Sequence, residues 1–429
     1  MQKAIGIDFG TTNSALAVAD PSGSSVLATF QSEEESEITT FRSILYFSGD
    51  ERGPDKKPLT VAGPWAIRKY LDADGNGRLI QSMKSHLASR SFTHTTILGR
   101  NYSLDDLIAI IVRKLNEAAE KSLGDLGKSV VVGRPVHFSG AKDKDDDDFA
   151  LGRLRSAFEK AGFERIAFEF EPVAAAYQYE QQLDHDELVL IGDFGGGTSD
   201  FSLIRLGPTA KQKEDKSRNI LGNDGVGIAG DALDGQIVMH VVAPVLGLGS
   251  QYKSLEKVLP MPSWPYQKLS SWHHVSFLKD KQTTGMLAQI RSQSLEPGKL
   301  DALLHIVKND LGYKLYRSVE RTKVELSNLE LSLYSFKDSP VDIKEKVRRL
   351  DFEAWIQPEL SSIEACINRL LERCHVSPGD VDSVFLTGGS AFVPAVRRLF
   401  RRKFGADRLR GGEELTTVAR GLALRALEI

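Results

Sequence analysis

The hydrophobic pattern is clearest near the middle of the chain, where two apolar runs, residues 188–191 and 201–206, enclose a glycine-rich turn. We predict that each run is a buried strand and that the two strands form a hairpin. The turn carries Asp193, three glycines at residues 195–197 and Asp200. Glycines let backbone amides close on a bulky anion, and a carboxylate at the end of a strand can hold a cation that contacts it. One such turn is also typical of an ordinary hairpin.

A second copy of this pattern lies near the N-terminus. Asp8 and Gly10 follow an apolar run at residues 4–8 and precede another at residues 14–19. The Asp-Phe-Gly triplets of the two copies align, with Asp8 matching Asp193. An internal repeat of this kind predicts two similar lobes, each with one phosphate-facing hairpin.

Neither turn fits the two common phosphate-binding loops. The glycine loop of a dinucleotide-binding unit opens a helix, whereas both turns here lead into another strand. A Walker A loop ends in Gly-Lys-Ser or Gly-Lys-Thr, which neither turn contains.

Helical and strand-like segments are predicted through the rest of the chain. The clearest helix is amphipathic and covers residues 104–121, with Ser103 as its N-cap. Further helices are predicted at residues 149–161, 300–327 and 352–374, and further strands at residues 44–47, 130–133 and 381–386.

The composition is that of an ordinary globular protein. The 429 residues, 41% hydrophobic and 26% charged, suffice for two or three domains. The formal net charge of −3 gives no reason to expect nucleic acid or an anionic membrane as a partner. No apolar run reaches ~20 residues and no leader pattern is visible, so we expect a cytoplasmic protein. Cys366 and Cys374 lie on one predicted helix, roughly 12 Å apart, too far for a disulfide.

Lys84 and Glu171 are candidates for a phosphate site because of where they lie. Lys84 belongs to a mixed, helix-like segment at residues 78–87. It would be functional if a bound triphosphate requires a positively charged side chain from the first lobe. A solvated lysine is the ordinary alternative. Glu171 lies between a strand and a helix with Pro172 at its start. Its carboxylate can project into a cleft or serve only as a first-turn acid.

A second group of candidates suits a nucleoside. Residues 225–231 form a glycine-rich turn before a helix predicted at residues 232–242, a geometry that suits an anion or a ribose. Glu320, Lys323 and Ser327 share one helix face and could hold a ribose and a purine, or form an exposed ion pair.

Two further patterns are weaker. The acidic run at residues 142–148 lacks the ligand spacing of a calcium loop and is better explained as a solvated helix start. Residues 244–300, which include Trp272, His273 and His274, are interpreted as an inserted, partly irregular subdomain with a partner-binding surface. Two adjacent histidines without further ligand spacing are weak evidence for a metal.

In combination these motifs resemble the DnaK-type heat-shock chaperones. The resemblance covers the whole chain but only the nucleotide-binding half of that family, and the short, stand-alone YegD-like members are the most similar. The motifs that carry it are Asp8-Phe9-Gly10-Thr11-Thr12-Asn13-Ser14, Glu171-Pro172-Val173-Ala174-Ala175-Ala176, Asp193-Phe194-Gly195-Gly196-Gly197-Thr198-Ser199-Asp200, Ala229-Gly230-Asp231, Glu320-Arg321-Thr322-Lys323 and Leu386-Thr387-Gly388-Gly389-Ser390. The narrower match rests on residues 133–136, 170–176 and 415–422.

The resemblance implies an α/β, actin-like ATPase fold. Two similar lobes, each with a five-stranded mixed sheet and flanking helices, would hold the nucleotide in a central cleft. We expect lobe I at residues 1–183, with an outer subdomain at 30–127, and lobe II at residues 184–429. The outer subdomain of lobe II would cover residues 229–345, including the extended segment 244–300. No substrate-binding domain is expected.

The resemblance also assigns roles to residues. ATP or ADP would bind with Mg²⁺ and a monovalent cation such as K⁺. Asp8, Asp193 and Glu171 would hold the hydrated Mg²⁺, and Lys84, Glu171, Thr198 and Asp200 would be catalytic. The phosphates would contact Gly10, Thr11, Thr12, Asn13, Gly195, Gly196, Gly197 and Thr198. The adenosine would contact Gly230, Asp231, Glu320, Lys323, Ser327, Gly388, Gly389, Ser390 and Phe392.

Two of these positions depart from the family pattern. The arginine that follows Lys323 in the family is Val324 here, so its stacking on adenine is lost. The arginine two residues after Ser390 is Phe392, which we expect to stack on the base instead.

The leading functional interpretation is an ATP-binding, slowly hydrolysing, chaperone-like protein with an unidentified protein partner or client. The alternative is a non-catalytic, ATP-gated interaction module that presents residues 244–300. Turnover separates the two. A small-molecule kinase would need an aspartate base facing an acceptor pocket, and a filament-forming relative of actin would need a self-complementary edge. The sequence specifies neither.

Overall fold

The structure, a computed structural model, describes residues 3–31, 37–53, 56–73, 76–180, 183–211, 219–254, 256–271, 278, 280–309, 311–410 and 417–429. The chain divides into two compact units. The first consists of Met1–Gly227, Ala365–Ala391 and Leu399–Ile429, and the second of Ile228–Glu364 and Phe392–Arg398. The predicted boundary between lobes at residues 183 and 184 stays a prediction.

The strands are β1 (Ala4–Phe9), β2 (Asn13–Ala19), β3 (Ser25–Leu27), β4 (Phe41–Arg42), β5 (Ile44–Arg52), β6 (Pro58–Ala62), β7 (Gly77–Gln81), β8 (Thr95–Ile97), β9 (Arg100–Tyr102), β10 (Ser129–Arg134), β11 (Arg165–Phe170), β12 (Glu187–Phe194), β13 (Ser199–Leu206), β14 (Ile220–Val226), β15 (Gln251–Ser254), β16 (Lys257–Pro260), β17 (Leu331–Asp338), β18 (Val341–Arg348), β19 (Ser383–Thr387) and β20 (Leu409–Arg410).

The α-helices are α1 (Pro64–Asp72), α2 (Leu104–Leu123), α3 (Lys144–Ala161), α4 (Glu171–Glu180), α5 (Pro208–Lys211), α6 (Gly230–Ile237), α7 (Ala243–Val245), α8 (Trp264–Leu269), α9 (Lys281–Gln293), α10 (Pro297–Lys308), α11 (Gly312–Asn328), α12 (Arg349–Trp355), α13 (Gln357–Arg373), α14 (Pro394–Phe404) and α15 (Thr417–Arg425).

Two mixed sheets of matching topology lie in the first unit. Among the described residues, one sheet has the order β11-β10-β1-β2-β3 with the short β4 on β2, and the other has the order β14-β13-β12-β19-β20. In each sheet an antiparallel hairpin, β1–β2 or β12–β13, pairs on its other side with a parallel strand, β10 or β19. The predicted architecture of two similar sheets with flanking helices is confirmed.

Apolar positions of the first sheet pack against helices on both faces. On one face Ile5, Ile7, Val130 and Val132 join a core with the buried side of α2. On the other face α15 packs against α4, and a Cβ at Gly421 would lie 1.8 Å from the carbonyl oxygen of Ala174. This close packing holds α4, and with it Glu171 at its first residue, against the strands.

The second unit consists of helices and two-stranded sheets. One turn of π-helix, Val238–Val242, follows α6 directly. The hairpin β15–β16 contacts α9, and the hairpin β17–β18 contacts α11. The segment at residues 244–300, expected to be partly irregular, is therefore largely regular where it is described. Trp272, His273 and His274 lie outside the described residues.

Several predicted elements have different bounds. The helix-like segment at residues 78–87 is wrong in its first half, which is strand β7, because pairing with β5 overrides local propensity. The single helix predicted at residues 300–327 is two, α10 and α11. The helix predicted at residues 352–374 is also two, because Pro358 at the start of α13 lacks the N–H that a continuous helix needs. The helix at residues 104–121 is confirmed with a capping box at Ser103.

Candidate functional site

The two aspartates of the repeated hairpins occupy matching positions. Asp8 is the last but one residue of β1, and Asp193 is the last but one residue of β12. In the hairpin registers Asp8 lies opposite Ala15, and Asp193 lies opposite Asp200. The repeat predicted from the two Asp-Phe-Gly triplets is thus confirmed as two hairpins that end alike.

Both turns are tight. A Cβ at Gly10 would lie 2.1 Å from the carbonyl oxygen of Asn13, so no larger residue fits there. In the second turn the amide of Gly195 donates to the carbonyl of Thr198 over 2.9 Å. The residues between, 11–12 in the first turn and 196–197 in the second, lie outside the strand ladders. Their amides are therefore available to an anion, as a phosphate-binding turn requires.

Two buried serines hold the first turn, and sequence reasoning missed the role of both. Ser43 donates from Oγ to the carbonyl of Gly10 over 2.7 Å, and its Oγ lies 2.8 Å from Oγ of Ser14. The amide of Ser43 donates to the carbonyl of Thr12. Since Ser43 follows the two-residue strand β4, which pairs with β2, the turn is clamped from a neighbouring strand.

Lys84 and Glu171 form a buried ion pair. Nζ of Lys84 lies 2.6 Å from Oε1 of Glu171, and the two side chains are 11% and 9% exposed. Lys84 belongs to a short 3-10 helix, Met83–His86, and Glu171 begins α4. Burial lowers the pKa of Lys84, but Glu171 and Asp8 outweigh burial and raise that pKa above its usual value. Lys84 is therefore a charged lysine, not the solvated one of the ordinary alternative.

The acids around this pair outnumber its single lysine. Burial, together with the charges of Glu171 and Asp193, raises the pKa of Asp8 to about 7, although Lys84 opposes the rise. Burial also raises the pKa of Glu171, despite the adjacent Lys84. The sequence candidates Asp8, Lys84, Glu171 and Asp193 therefore act on one another electrostatically within the first unit. Their excess negative charge attracts a cation.

Thr198 and Asp200 join the same cluster. Oγ1 of Thr198 donates to Oδ2 of Asp200 over 2.9 Å. Burial and the charge of Asp193 raise the pKa of Asp200 to about 7, and the bond from Thr198 only partly offsets them. This threonine–aspartate pair, predicted to position a water or a monovalent cation, is thus assembled beside the Asp193 carboxylate.

The donor set fits a hydrated Mg²⁺ better than a directly ligated metal. Among the described residues no group of three or more His, Cys, Asp or Glu side chains could hold a metal ion. Mg²⁺ keeps several of its waters and takes only one or two carboxylates. Burial, and after it the neighbouring acids, raise the pKa values of Asp8 and Asp200, so the protein alone disfavours the ionised form of these carboxylates, which a bound cation would favour. Asp8 and Asp193, on the two matching strand ends, are the residues that would hold the hydrated ion.

Thr387 is a further residue of this cluster that sequence reasoning did not assign to it. It ends β19, which runs parallel to β12 and places Thr387 beside Asp193. Its Oγ1 donates to Oδ1 of Asp193 over 2.8 Å. The hydroxyl fixes the direction of this carboxylate.

The nucleoside candidates of the second unit surround another buried ion pair. Nζ of Lys323 donates to Oδ2 of Asp234 over 2.8 Å and approaches the carbonyl of Gly230 at 3.4 Å. Burial raises the pKa of Asp234 to about 6, with Lys323 opposing and Glu320 and Asp231 adding to the rise. Ser327 donates to the backbone carbonyl of Lys323. The sequence allowed an exposed ion pair at Lys323. The structure instead has a buried ion pair between Lys323 and Asp234, a residue that the sequence spacing did not identify.

The last motif, residues 386–390, belongs to the first unit, whereas Phe392 just after it belongs to the second. Gly388 has φ of 84°, and a Cβ there would lie 2.0 Å from the carbonyl oxygen of Phe194, so this loop packs tightly on the end of β12. Gly389 has open space around it, and Ser390 is buried. Phe392 belongs to the second unit, is 44% exposed, and carries the guanidinium of Arg397 at 5.9 Å from its ring centre. One face of the Phe392 ring is therefore already covered by the Arg397 guanidinium.

No helix in the described part of the chain is long and apolar enough to cross a membrane. The family model for "Hsp70 protein" matches residues 4–244 and 302–427, well over half of the chain, and leaves residues 245–301 unmatched. The matched region is the nucleotide-binding region of that family.

Curated relatives agree. The chain is 25% identical over 450 residues to "Chaperone protein DnaK" of Thermus thermophilus, covering 99% of this chain and 61% of that protein. It is 24% identical to the DnaK of Deinococcus proteolyticus and 23% identical to that of Gracilaria tenuistipitata var. liui, again over 99% of this chain. The chain spans about three fifths of the length of these relatives. With the two Asp-Phe-Gly hairpins and their shared acidic cluster, the family match shows that this chain belongs to the Hsp70 family and has its actin-like ATPase fold.

Proposed function

We propose that this protein binds ATP with Mg²⁺ and hydrolyses it slowly, as a chaperone-like ATPase. The observation that carries the proposal is the buried Lys84–Glu171 pair beside Asp8, at the ends of the two glycine hairpins. Such a cluster, with one lysine among several acids, suits a magnesium–triphosphate complex better than either ion alone. The names of the relatives, "Chaperone protein DnaK", support the chaperone-like part of the proposal.

Asp8 and Asp193 would hold a hydrated Mg²⁺, which would supply positive charge for the phosphates. The amides of residues 11–12 and 196–197 would donate to phosphate oxygens, and Lys84 would add a positive charge near the transferred phosphoryl group. This kind of catalysis consists mainly of positioning and charge stabilisation.

Side chains of this protein would position the attacking water and accept its proton. Thr198, Asp200 and Glu171 would orient one water in line with the γ-phosphorus. As the new P–O bond forms, the bond to the bridging oxygen breaks and ADP leaves. The raised pKa values of Asp200 and Glu171 suit a group that accepts a proton late in the reaction.

The residues proposed to contact the nucleoside are Gly230, Asp231, Glu320, Lys323, Ser327, Gly388, Gly389, Ser390 and Phe392. Asp234 joins this proposed set as the partner that orients Lys323. Val324, which is 56% exposed, would give the base an apolar neighbour where the family has an arginine. A cytoplasmic location and a K⁺ ion beside Thr198 are further parts of the proposal.

A phosphate-release assay tests this proposal. Wild type should release phosphate from ATP only with Mg²⁺, and the double variant Asp8→Asn/Asp193→Asn should lose release and Mg²⁺-dependent binding together. The exposed Asp148→Asn is the matched control and should behave as wild type. Mg²⁺-independent release, or release by the double variant at the wild-type rate, contradicts the proposal.

A second candidate function is a non-catalytic, ATP-gated interaction module. The segment 245–301 favours it, because its hairpin β15–β16 and helices α8 and α9 present surface in a stretch that the family model does not match. Val258, Met286 and Leu295 are exposed apolar residues on this segment and would contact a protein partner or client. Mg²⁺-dependent ATP binding without any phosphate release would favour this function over hydrolysis.

A further inference from the structure

A groove in the first unit lies apart from the nucleotide candidates. It runs between β9 (Arg100–Tyr102) and the outer face of α2, and the C-terminal end of α3 closes it at Lys160. Its cavity volume is about 520 Å³. Ligand pockets for small molecules span about 300–1,000 Å³, so one small molecule fits.

Positive charge dominates the groove. The charged side chains that line it, within the described residues, are Lys57, Arg100, Arg113 and Lys160, against the single carboxylate of Asp106. That carboxylate is already engaged on both oxygens. The amide of Ser103 donates to its Oδ2 over 3.0 Å, and Lys160 donates to its Oδ1 over 2.6 Å. Asp106 and the adjacent Asp105 therefore neutralise Lys160 and leave the arginines unmatched.

Arg100 and Arg113 have no acidic partner in the described part of the chain. Arg113 uses one N–H on the backbone carbonyl of Lys160, 2.8 Å away, which directs its guanidinium along the end of α3. The side chain of Arg100 makes no hydrogen bond or ion pair to a described residue. Two guanidinium groups without carboxylates on one groove form a strong site for an anion, since each offers several N–H donors in a plane.

The remaining wall is apolar and rigid. The ring of Tyr102 packs on buried Phe47, with ring centres 5.2 Å apart, and Ala109 and Ile110 of α2 continue the same wall. The hydroxyl of Tyr102 has no hydrogen-bond partner among the described residues. A ligand here meets donors for an anion at one end and a flat apolar surface at the other.

We propose that this groove is a binding site for a small molecule that carries a phosphate monoester on a planar or apolar body. A phosphate dianion offers three acceptor oxygens to the two guanidinium groups, which a single carboxylate does not. The site is independent of the proposed ATPase activity, since it shares no residue with it.

Isothermal titration with phenyl phosphate tests the site. The full chain is first saturated with Mg²⁺ and ADP, so that the nucleotide candidates are occupied. Wild type should bind one phenyl phosphate, and phenol, which has the same ring without the phosphate, should bind at least about tenfold more weakly. Affinity should rise between pH 5 and pH 7 as the phosphate becomes a dianion, whose second pKa is about 6.

The variant Arg100→Gln/Arg113→Gln should weaken binding by about tenfold or more. The matched control is Arg78→Gln/Arg401→Gln, which removes the same charge from two exposed positions elsewhere and should stay within about twofold of wild type. Three results would overturn the proposal: no binding to wild type up to about 10 mM, equal loss in both double variants, or equal binding of phenol and phenyl phosphate.

Discussion

Thr387 donates a hydrogen bond from Oγ1 to Oδ1 of Asp193 over 2.8 Å, although the two residues are 194 positions apart in the chain. The bond exists because β19 runs parallel to β12 and brings their ends together. This hydrogen bond fixes the direction of the Asp193 carboxylate, which would hold Mg²⁺. Thr387 is therefore a positioning residue for the proposed magnesium–nucleotide site.

Replacing Thr387 with valine should weaken Mg²⁺-dependent nucleotide binding by about tenfold, because the carboxylate loses its orienting donor at nearly constant side-chain volume. Nucleotide affinity without Mg²⁺ should not change. A Mg²⁺ titration of fluorescent-nucleotide binding measures both. Thr387→Ser keeps the hydroxyl and serves as the control, with affinity close to wild type. If Thr387→Ser loses as much Mg²⁺-dependent nucleotide affinity as Thr387→Val, the hydroxyl does not orient the carboxylate as proposed.

The hairpins and their aspartates were predictable from the sequence, because a strand, a glycine turn and a second strand are local patterns that appear twice. Ser43, Asp234 and Thr387 were not, because their partners lie 33, 89 and 194 residues away. Only the sheet registers and helix packing bring such residues together. Lys84 was singled out correctly as a candidate, but its helix-like setting was wrong, since local propensity does not show that β7 pairs with β5.

The pKa of Asp200 predicts how the ligand-free protein responds to pH. Burial raises this pKa from 3.8 to about 7. Because the folded state favours the protonated form, its stabilising contribution is complete below about pH 4 and is lost as pH rises through about 7. Asp200→Asn should therefore gain stability relative to wild type as pH rises from 4 to 8, by at most about 4 kcal/mol. Thermal unfolding without Mg²⁺ or nucleotide measures the difference.

The exposed Asp148→Asn is the control for that series, and its stability relative to wild type should not follow this pH course. Adding Mg²⁺ and nucleotide should reduce the difference in stability between Asp200→Asn and wild type, since a cation stabilises the ionised acids. If the difference in stability between Asp200→Asn and wild type is the same at pH 4 and pH 8, the pKa of Asp200 is not raised in the folded protein.

The buried pair in the second unit predicts a stability effect of its own. Among the described residues, Lys323 is the one cation that contacts Asp234, and the other carboxylate oxygen of Asp234 has no hydrogen-bond partner there. Lys323→Met removes this cation. Unfolding free energy should fall by about 3–5 kcal/mol, because an unpaired acid stays buried. The double variant Lys323→Met/Asp234→Leu should recover much of the loss. Chemical denaturation measures all three, and a double variant no better than Lys323→Met would show that the charge is not the cause.

Gly388 and Gly389 form a matched pair for testing the loop after β19. Gly388→Ala should destabilise the protein by about 1–3 kcal/mol, because φ is 84° and the new Cβ would meet the Phe194 carbonyl at 2.0 Å. Gly389→Ala meets open space at ordinary φ and should change stability little. The same denaturation assay compares them. Equal stability of the two variants would contradict the tight packing of this loop on β12.

The most direct test of the central claim is single-turnover hydrolysis of ATP with Mg²⁺, on wild type, Lys84→Ala and Thr198→Ala. Lys128→Ala is the control, since Lys128 pairs with Glu164 on the surface. Wild type and the control should cleave bound ATP, whereas Lys84→Ala should still bind ATP but cleave it at least about a hundredfold more slowly. Tight binding by wild type without any cleavage, or cleavage by Lys84→Ala at the wild-type rate, would contradict the account.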